Sequence, residues 1–386
     1  MATFLLEIGT EELPADFAGS ALTQLEQRVR RDLSEARLSC GALRVDGTPR
    51  RLALRLEDLP ERQEDRREER KGPPAQQAFR DGLPAAVGFA RRCGVEPETL
   101  QVRDTEKGAF VFANTLERGR ATAEVLADLA PTWIWSLQGR RFMRWGHGES
   151  RFSRPVRWLL ALLDDAVVPI TLADCDPPVC SDRLSRGHRL QADPVVIATA
   201  GAYGATLAAA AVQVDRAERS TAIRKAIAVA AAAAEARPDL PDSLFEELVD
   251  LVESPWLIEG VIEERFLALP PEVLSTVMRA HQRYVPLQRR DAPADPLALE
   301  AGNELLPRFL CVANGLESAA NTIRRGNERV LRARLADAEF FLAADRGIAS
   351  IDRRQQLERV TFAEGLGSIR DRVERLEWCT DVLLER

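Results

Sequence analysis

The chain has 386 residues, and its 45% apolar and 29% charged content is ordinary for a soluble globular protein of two or three domains. The formal net charge of −7 excludes a uniformly basic nucleic-acid coat, but it leaves room for a local basic patch. Only three of the 53 basic residues are lysines, so arginine is the default cation and arginine clusters must be discounted for composition.

The chemical motifs narrow the class of protein further. The six cysteines form no CxxC pair and the three histidines are scattered, which favours reduced thiols and structural histidines over a zinc site. GxxxxGK[ST], GxSxG, HExxH and HD sequences are absent, and no Ser or Cys has a recognisable base. The N-terminus lacks a basic signal-peptide region, and no apolar run approaches about 18 residues. We therefore expect a cytoplasmic chain without a catalytic or metal site of its own.

Hydrophobic periodicity predicts a mixture of strands and helices up to about residue 315. Residues 3–8 predict a strand, and residues 18–33 predict a helix with apolar side chains every three or four positions. Residues 43–56 predict a β-hairpin, and residues 61–71 predict a solvated connection or an edge strand.

The periodicity of residues 156–172 fits two alternatives, a hairpin or a helix followed by a strand. Residues 181–237 predict a loop, a helix, a strand and a long Ala-rich helix. The other predictions are helices at 84–92, 121–137, 244–252 and 272–280, a hairpin at 100–115, strands at 257–262, 284–288 and 309–313, and a polar loop at 291–307.

Residues 321–345 predict a long helix, with a glycine at 326 that could interrupt it. One face is apolar, and another face carries Arg325, Arg329 and Arg332 at helical spacing. Arg324 and Arg332 both have Glu328 at the spacing of a helical ion pair, whereas Arg325 and Arg329 have no such partner. The arginines therefore either form ion pairs on a solvated face or bind an anion such as phosphate.

Two further stretches, residues 140–158 and 279–284, interleave basic and aromatic residues. This combination suits nucleotide stacking and phosphate contact, and it equally suits core packing by extended arginines. The basic residues that we single out there are Arg144, Arg154, Arg279, His281 and Arg283.

The pattern changes near residues 315–320, where we place a domain boundary. Residues 1–318 predict an α/β body with much antiparallel sheet, so the fold class is α+β. Residues 319–386 predict the start of an all-α domain, joined to the body by the arginine-rich helix. The last helix reaches Arg386 without a cap, which suggests a domain that is cut short.

Several motifs occur in a characteristic order along nearly the whole chain. They are TFLLEIGTEELP (3–14), GTPRRL (47–52), KGP (71–73), MRWG (143–146), FSRPVRW (152–158), LPPEVL (269–274), MRAHQRY (278–284) and NTIRRGNERVLRARLADAEFF (321–341). The ordered set resembles the N-terminal half of the β subunit of bacterial-type glycyl-tRNA synthetase. Leu190, Val285 and Leu342 depart from the family pattern in ways that suggest changes of packing, and the chain is much shorter than the family's.

The resemblance implies a subunit of an α2β2 ligase that joins glycine to tRNA(Gly) with ATP and Mg2+. The adenylate-forming centre of such an enzyme lies on the α subunit, and the β subunit binds tRNA and the α subunit. The resemblance also implies a B3/B4-like module in the body and an HD-like helical domain after it. The family's anticodon-binding region lies beyond the matched part.

These expectations leave three hypotheses. In the first, the chain binds tRNA and the α subunit through the basic residues named above. In the second, it is a hydrolytic editing or phosphoesterase module that acts on tRNA, although the missing HD pair argues against the metal-dependent version. In the third, it is a scaffold that holds the α subunit only. The tRNA-binding candidates of the first hypothesis are Arg324, Arg325, Arg329, Arg332, Arg279, His281, Arg283, Arg144 and Arg154.

Overall fold

The computed structural model describes residues 1–78, 84–106, 108–290 and 305–385. Its helices are α1 (Ala15–Glu35), α2 (Ala75–Ala78), α3 (Pro84–Cys93), α4 (Thr122–Trp135), α5 (Tyr203–Ala209), α6 (Arg216–Ala233), α7 (Asp242–Asp250), α8 (Pro271–Thr276), α9 (Ala320–Arg346), α10 (Ser350–Gln356) and α11 (Ile369–Leu384). A turn of π-helix, Val277–Gln282, follows α8 directly.

The strands complete the list of elements. They are β1 (Ala2–Thr10), β2 (Leu43–Thr48), β3 (Arg51–Leu59), β4 (Arg66–Pro74), β5 (Gln101–Thr105), β6 (Gly108–Glu117), β7 (Val156–Leu163), β8 (Ala166–Val167), β9 (Thr171–Leu172), β10 (Val179–Asp182), β11 (Leu184–Arg186), β12 (Pro194–Val196), β13 (Ala236–Pro238), β14 (Pro255–Val261), β15 (Val285–Arg289), β16 (Leu305–Asn314), β17 (Thr361–Ala363) and β18 (Gly367–Ser368).

The chain forms two compact units that interleave along the sequence. The first unit consists of Met1–Lys225, Phe245–Trp256 and Ala313–Leu316, and the second of Ala226–Leu244, Leu257–Val312 and Glu317–Arg386. Helices and antiparallel strands occur in both, which confirms the α+β class. The descriptions of the two parts as B3/B4-like and HD-like, and their boundary at residue 318, stay predictions.

The main sheet of the first unit has the strand order β2-β3-β1-β7-β10-β9, and β8 pairs with β7. Strand β1 lies inside this sheet with packed layers on both sides, so both of its faces are mostly apolar. Its even-numbered residues join a core with the apolar stripes of α1 and α4. Leu5 faces the opposite side and joins a smaller core with Tyr203 and Leu207 of α5.

The register of this sheet decides which polar residues meet. Gly9 of β1 lies opposite both Arg51 of β3 and Trp158 of β7. Glu7 lies two residues earlier, so its side chain shares a face with these three residues. Arg51 and Trp158 lie 44 and 151 positions from Glu7 in the sequence, and the register of the sheet places both beside it.

A smaller antiparallel sheet in the first unit has the order β4-β6-β5. Val111 and Ala113 of the central strand β6 face α2 and α3, and they form a small core there with Ala78, Ala86 and Phe89. Strand β4 is an edge strand, as the alternating charges of residues 61–71 had indicated as one alternative. The other face of β6 carries Phe110 and Phe112.

The second unit contains a four-stranded sheet of order β13-β15-β16-β14 and the long helix α9. Leu331 and Leu335 are the buried residues of α9, and they pack in one cluster with Phe266, Met278 and Phe309. The helix continues through Gly326 without a break. Leu331 and Leu335 belong to the predicted apolar face, and their burial confirms that this face packs against the core.

Most of the predicted elements are confirmed, and residues 156–172 adopt the hairpin alternative because β7 pairs with β8. The strand expected between the two helices of residues 181–237 is wrong. Ala211 has a left-handed backbone (φ 58°), and Asp215 accepts a hydrogen bond from the Glu218 amide at 2.9 Å where α6 begins, so these residues form a loop instead.

The helical part after residue 320 also departs from expectation, since the short hairpin β17–β18 separates α10 from α11. Lys107 of the predicted hairpin turn and residues 291–304 of the predicted polar loop lie outside the described residues. Among the helices that the structure describes, none has the length and apolar content needed to cross a membrane.

Candidate nucleic-acid interface

Helix α9 presents two arginines, one helical turn apart, that have no partner among the described residues. Arg325 and Arg329 are exposed, and neither makes a hydrogen bond or an ion pair with any other described residue. Arg324, by contrast, lies 3.9 Å from the Glu328 carboxylate, and Arg332 pairs with Glu263 instead of the predicted Glu328. The structure therefore separates the four predicted arginines of α9 into two that are ion-paired and two that are available to an anion.

The second predicted patch lies on the π-helical turn and the residue after it. Arg279 donates to the Asp239 carboxylate at 2.8 Å, whereas the side chain of His281 is exposed and makes no bond with a described residue. Arg283 has a left-handed backbone (φ 56°), and its Nη1 donates to the Ala280 carbonyl at 2.7 Å. Met278 packs in the same cluster as Leu331, so this patch and α9 share one core.

Arg144 and Arg154 belong to the first unit and are both engaged. Arg144 lies 2.8 Å from the Glu149 carboxylate, and the half-buried Arg154 donates to the Ser153 carbonyl at 2.8 Å. Of the nine predicted residues, Arg325, Arg329 and His281 are those that bond to no other described residue. The two arginines of this set are permanent cations, because a guanidinium stays protonated in proteins.

The structure also shows a buried polar cluster that sequence reasoning missed. We call it the Glu7 cluster, and its members are Glu7, Thr48, Arg51, Trp158, Ser185, Tyr203 and Glu253. Glu7 Oε1 accepts hydrogen bonds from the indole N–H of Trp158 and, at 2.7 Å, from the Ser185 hydroxyl. Glu7 Oε2 accepts from the Tyr203 hydroxyl and lies 3.4 Å from Arg51 Nη1.

Arg51 links Glu7 to a second carboxylate. Its Nε donates to Glu253 Oε1 at 3.1 Å, and the Thr48 hydroxyl donates to the same oxygen at 2.7 Å. Glu7, Arg51 and Glu253 are completely buried. Burial opposes the charged form of Arg51, but the two carboxylates outweigh it and raise the pKa of the guanidinium above its ordinary value.

Trp158 completes the cluster by stacking with cations. The guanidinium carbons of Arg186, Arg51 and Arg50 lie 4.8, 5.5 and 5.8 Å from the centre of its ring. The indole crosses over Gly9, where a side chain would overlap it. A glutamate in the middle of an apolar strand was the signal that could have revealed the cluster, because a charge in such a strand needs a buried partner.

Three of the motifs that carry the family resemblance meet at this cluster, namely those at residues 3–14, 47–52 and 152–158. Backbone hydrogen bonds join them as well, from Thr10 N to Arg50 O at 2.8 Å and from Glu11 N to Pro155 O at 3.1 Å. The part of each motif that meets here therefore holds the sheet of the first unit together. Within the described ranges, no group of three or more His, Cys, Asp and Glu side chains is arranged to hold a metal ion.

Comparison with known proteins gives a consistent result along the chain. A model of the family "Glycyl-tRNA synthetase beta subunit" matches residues 4–386. The chain is 48% identical over 380 residues to the glycine–tRNA ligase beta subunit of Acaryochloris marina, covering 98% of this chain and 52% of that protein. The corresponding protein of Synechocystis is 46% identical over 379 residues, covering 97% of this chain and 51% of its own length.

A more distant relative shows the same extent of match. The glycine–tRNA ligase beta subunit of Moorella thermoacetica is 41% identical over 377 residues, which cover 97% of this chain and 52% of that protein. The chain thus spans about half the length of the curated relatives it matches. Because the family model covers residues 4–386, the chain belongs to the glycyl-tRNA synthetase beta subunit family.

Proposed function

We propose that this protein acts as the tRNA-binding β subunit of a glycine–tRNA ligase. In this role it binds tRNA(Gly) and the α subunit, and it supports the ATP-dependent attachment of glycine to tRNA. Membership of the family over residues 4–386 supports the proposal, and the relatives' name, "beta subunit", supports a partner subunit. We further propose an α2β2 assembly in the cytoplasm, with ATP and Mg2+ used at an adenylate-forming centre on the α subunit.

The same proposal covers the finer description of the fold. The first part of the chain would form a B3/B4-like module, and the helical part from about residue 319 would begin an HD-like domain. The catalytic step would take place on the α subunit. The residues of this chain would position the tRNA.

The observation that best supports tRNA binding is that Arg325 and Arg329 of α9 make no hydrogen bond or ion pair with a described residue. Arg325 and Arg329 are one helical turn apart on an exposed face, while the neighbouring Arg324 and Arg332 are paired with glutamates. Two like charges at this spacing repel each other and destabilise the isolated helix, so an anion that binds both relieves this repulsion. Guanidinium groups suit phosphate oxygens because they donate two parallel hydrogen bonds.

The double substitution Arg325→Ala and Arg329→Ala tests this assignment. Each lost phosphate contact reduces the slope of log Kd against log salt by about 0.7–0.9, so we expect the slope to fall by about 1.4–1.8. Affinity for tRNA(Gly) falls at low salt, and the melting temperature does not fall because neither side chain makes a hydrogen bond or an ion pair with another described residue. The measurement is fluorescence anisotropy with labelled tRNA over a series of salt concentrations.

Arg354→Ala combined with Arg370→Ala is a matched control, because it removes the same charge from the same unit. Both arginines are ion-paired, Arg354 with Glu377 and Arg370 with Glu374. We expect this control to keep the salt slope of the unaltered protein. An unchanged slope in the Arg325 and Arg329 variant would show that these residues do not bind phosphate, and a lower melting temperature would show that they are structural.

No observation on the described residues favours the hydrolytic alternative, and the relatives named above are ligase subunits. A second measurement on the same variants distinguishes the scaffold hypothesis from the tRNA-binding hypothesis. A scaffold would still copurify with the α subunit, and its substitutions would not change tRNA affinity. A loss of tRNA affinity with normal copurification supports the tRNA-binding role.

A further inference from the structure

The open face of the small sheet β4-β6-β5 carries two aromatic rings, each covered by a cation. Phe110 and Phe112 lie on the central strand β6 and are half-buried. Lys71 Nζ lies 3.6 Å from the centre of the Phe110 ring, and the guanidinium carbon of Arg103 lies 5.8 Å from the centre of the Phe112 ring. We call this surface the β6 platform.

The register of the strands explains how these four side chains meet. Phe112 lies opposite Lys71 of β4, and Phe110 lies opposite Arg103 of β5. Each cation therefore reaches diagonally across to the ring of the neighbouring pair, which antiparallel strands allow for long side chains. Val111, between the two rings, points to the opposite face and is buried against α2 and α3.

The rest of this face is open to solvent and mostly polar. The other side chains that share it are all exposed, and they are Arg67, Glu69, Gln101, Asn114 and Leu116. Glu69 is the acidic member, and it is engaged with Arg103 at 2.7 Å. The face thus combines flat apolar rings with three cations and one neutralised carboxylate.

We propose that the β6 platform binds an unpaired segment of RNA by stacking bases on Phe110 and Phe112. This inference rests on the proposed function, since tRNA supplies the unpaired nucleotides. Two residues along a strand span about 6.8 Å, which is twice the rise of a stacked nucleotide. The two rings are thus spaced for bases that are splayed apart, which is how single-stranded RNA is read on sheet surfaces.

The cations that cover the rings take a second role when RNA binds. Stacking of a base on an aromatic ring is stronger than an exposed contact between a cation and a ring, so a base displaces Lys71 from Phe110. The long lysine side chain then reaches a phosphate on the same strand. Arg67 and Arg103 flank the path of the backbone on the two outer strands.

Replacing both rings by leucine tests the inference, because leucine keeps apolar volume and removes the aromatic face. We expect the double variant Phe110→Leu and Phe112→Leu to bind an unstructured RNA of about 12 nucleotides, and tRNA(Gly), about tenfold more weakly. The salt slope stays unchanged because no phosphate contact is lost. Phe110→Tyr with Phe112→Tyr retains the rings and is expected to retain the affinity.

Leu116→Ala is the matched control, since it removes exposed apolar area from the same face without removing a ring. It is expected to leave RNA affinity unchanged. A loss of affinity in the tyrosine variant, or an equal loss in Leu116→Ala, would overturn the inference. Weaker binding of the α subunit with unchanged RNA binding would also overturn it, because the platform would then be a protein interface.

A measurement on the unaltered protein covers the case in which the leucine variant does not fold. Ultraviolet cross-linking to RNA that contains 4-thiouridine is expected to label the peptide that carries β6. A map of cross-links that lacks this peptide contradicts the platform. The platform and the proposed function can fail separately. Unchanged RNA affinity in the ring variant, together with a flatter salt slope in the Arg325 and Arg329 variant, overturns the platform alone. An unaltered protein that binds no tRNA overturns the proposed function.

Discussion

Replacing Arg51 with methionine is expected to lower the free energy of unfolding by about 3–5 kcal/mol, because it leaves two buried carboxylates without their cation. Glu7 and Glu253 are completely buried, and Arg51 lies 3.4 and 3.1 Å from their oxygens. Methionine fills part of the space but provides neither charge nor donors. Denaturant unfolding at neutral pH, followed by circular dichroism, measures the loss.

Arg157→Met is the matched control for this prediction. Arg157 also pairs with a glutamate, Glu11, at 2.8 Å, but both side chains are accessible to solvent. Exposed pairs contribute little, so we expect a change within about 1 kcal/mol. A cost for Arg51→Met no larger than that of this control would show that the Glu7 cluster does not stabilise the fold.

The same substitution in a second protein variant shows whether electrostatics causes the loss of unfolding free energy. In a protein that already carries Glu7→Gln and Glu253→Gln, Arg51→Met no longer strands a buried charge. The substitution should then cost clearly less than in the unaltered protein. Strictly additive effects would mean that packing, and not electrostatics, accounts for the loss.

Replacing Gly9 with alanine is expected to cost about 3 kcal/mol or more, although it adds only one methyl group. A Cβ at this position would lie 1.9 Å from two indole carbons of Trp158. The ring would have to move, and its N–H would lose the bond to the Glu7 carboxylate. Thermal or denaturant unfolding, together with the near-ultraviolet signal of the tryptophans, reports both effects.

Gly204→Ala provides the same substitution in the same unit without the clash. Gly204 lies in α5, and nothing stands within 4 Å of the position that its Cβ would take. Alanine is the better helix former, so we expect no loss and a gain of up to about 1 kcal/mol. Equal behaviour of the two alanine variants would contradict the tight packing of Trp158 over Gly9.

The structure divides the family motifs by role. Those at residues 3–14, 47–52 and 152–158 contribute Glu7, Arg51 and Trp158 to a buried cluster, and the predictions for them concern stability. The motif at residues 321–341 buries Leu331 and Leu335 and exposes Arg325 and Arg329, so it combines a packing face with a charged face. Substitutions on these two faces of α9 are expected to affect unfolding and tRNA binding, respectively.

Local periodicity was enough to predict much of the secondary structure. The stripe of α1 and the hairpin β2–β3 depend on neighbours that are close in sequence, and their patterns identify them. Helical spacing also placed Arg325 and Arg329 on one face and left them without an acidic partner. The strand expected between the two helices of residues 181–237 was wrong, because a left-handed residue, Ala211, turns the chain between α5 and α6.

The sequence by itself determined the α+β class, the ordered motifs and the arginines of α9. Only the tertiary structure decided which charges are buried together, because hydrogen-bonded partners in the Glu7 cluster are up to 205 positions apart within the chain. The same holds for the β6 platform, where Lys71 meets Phe110 across a strand pairing that no local pattern encodes. In both places, the register of the sheet brings residues that are distant in sequence into contact, and the physical role of each residue depends on the residue that it contacts.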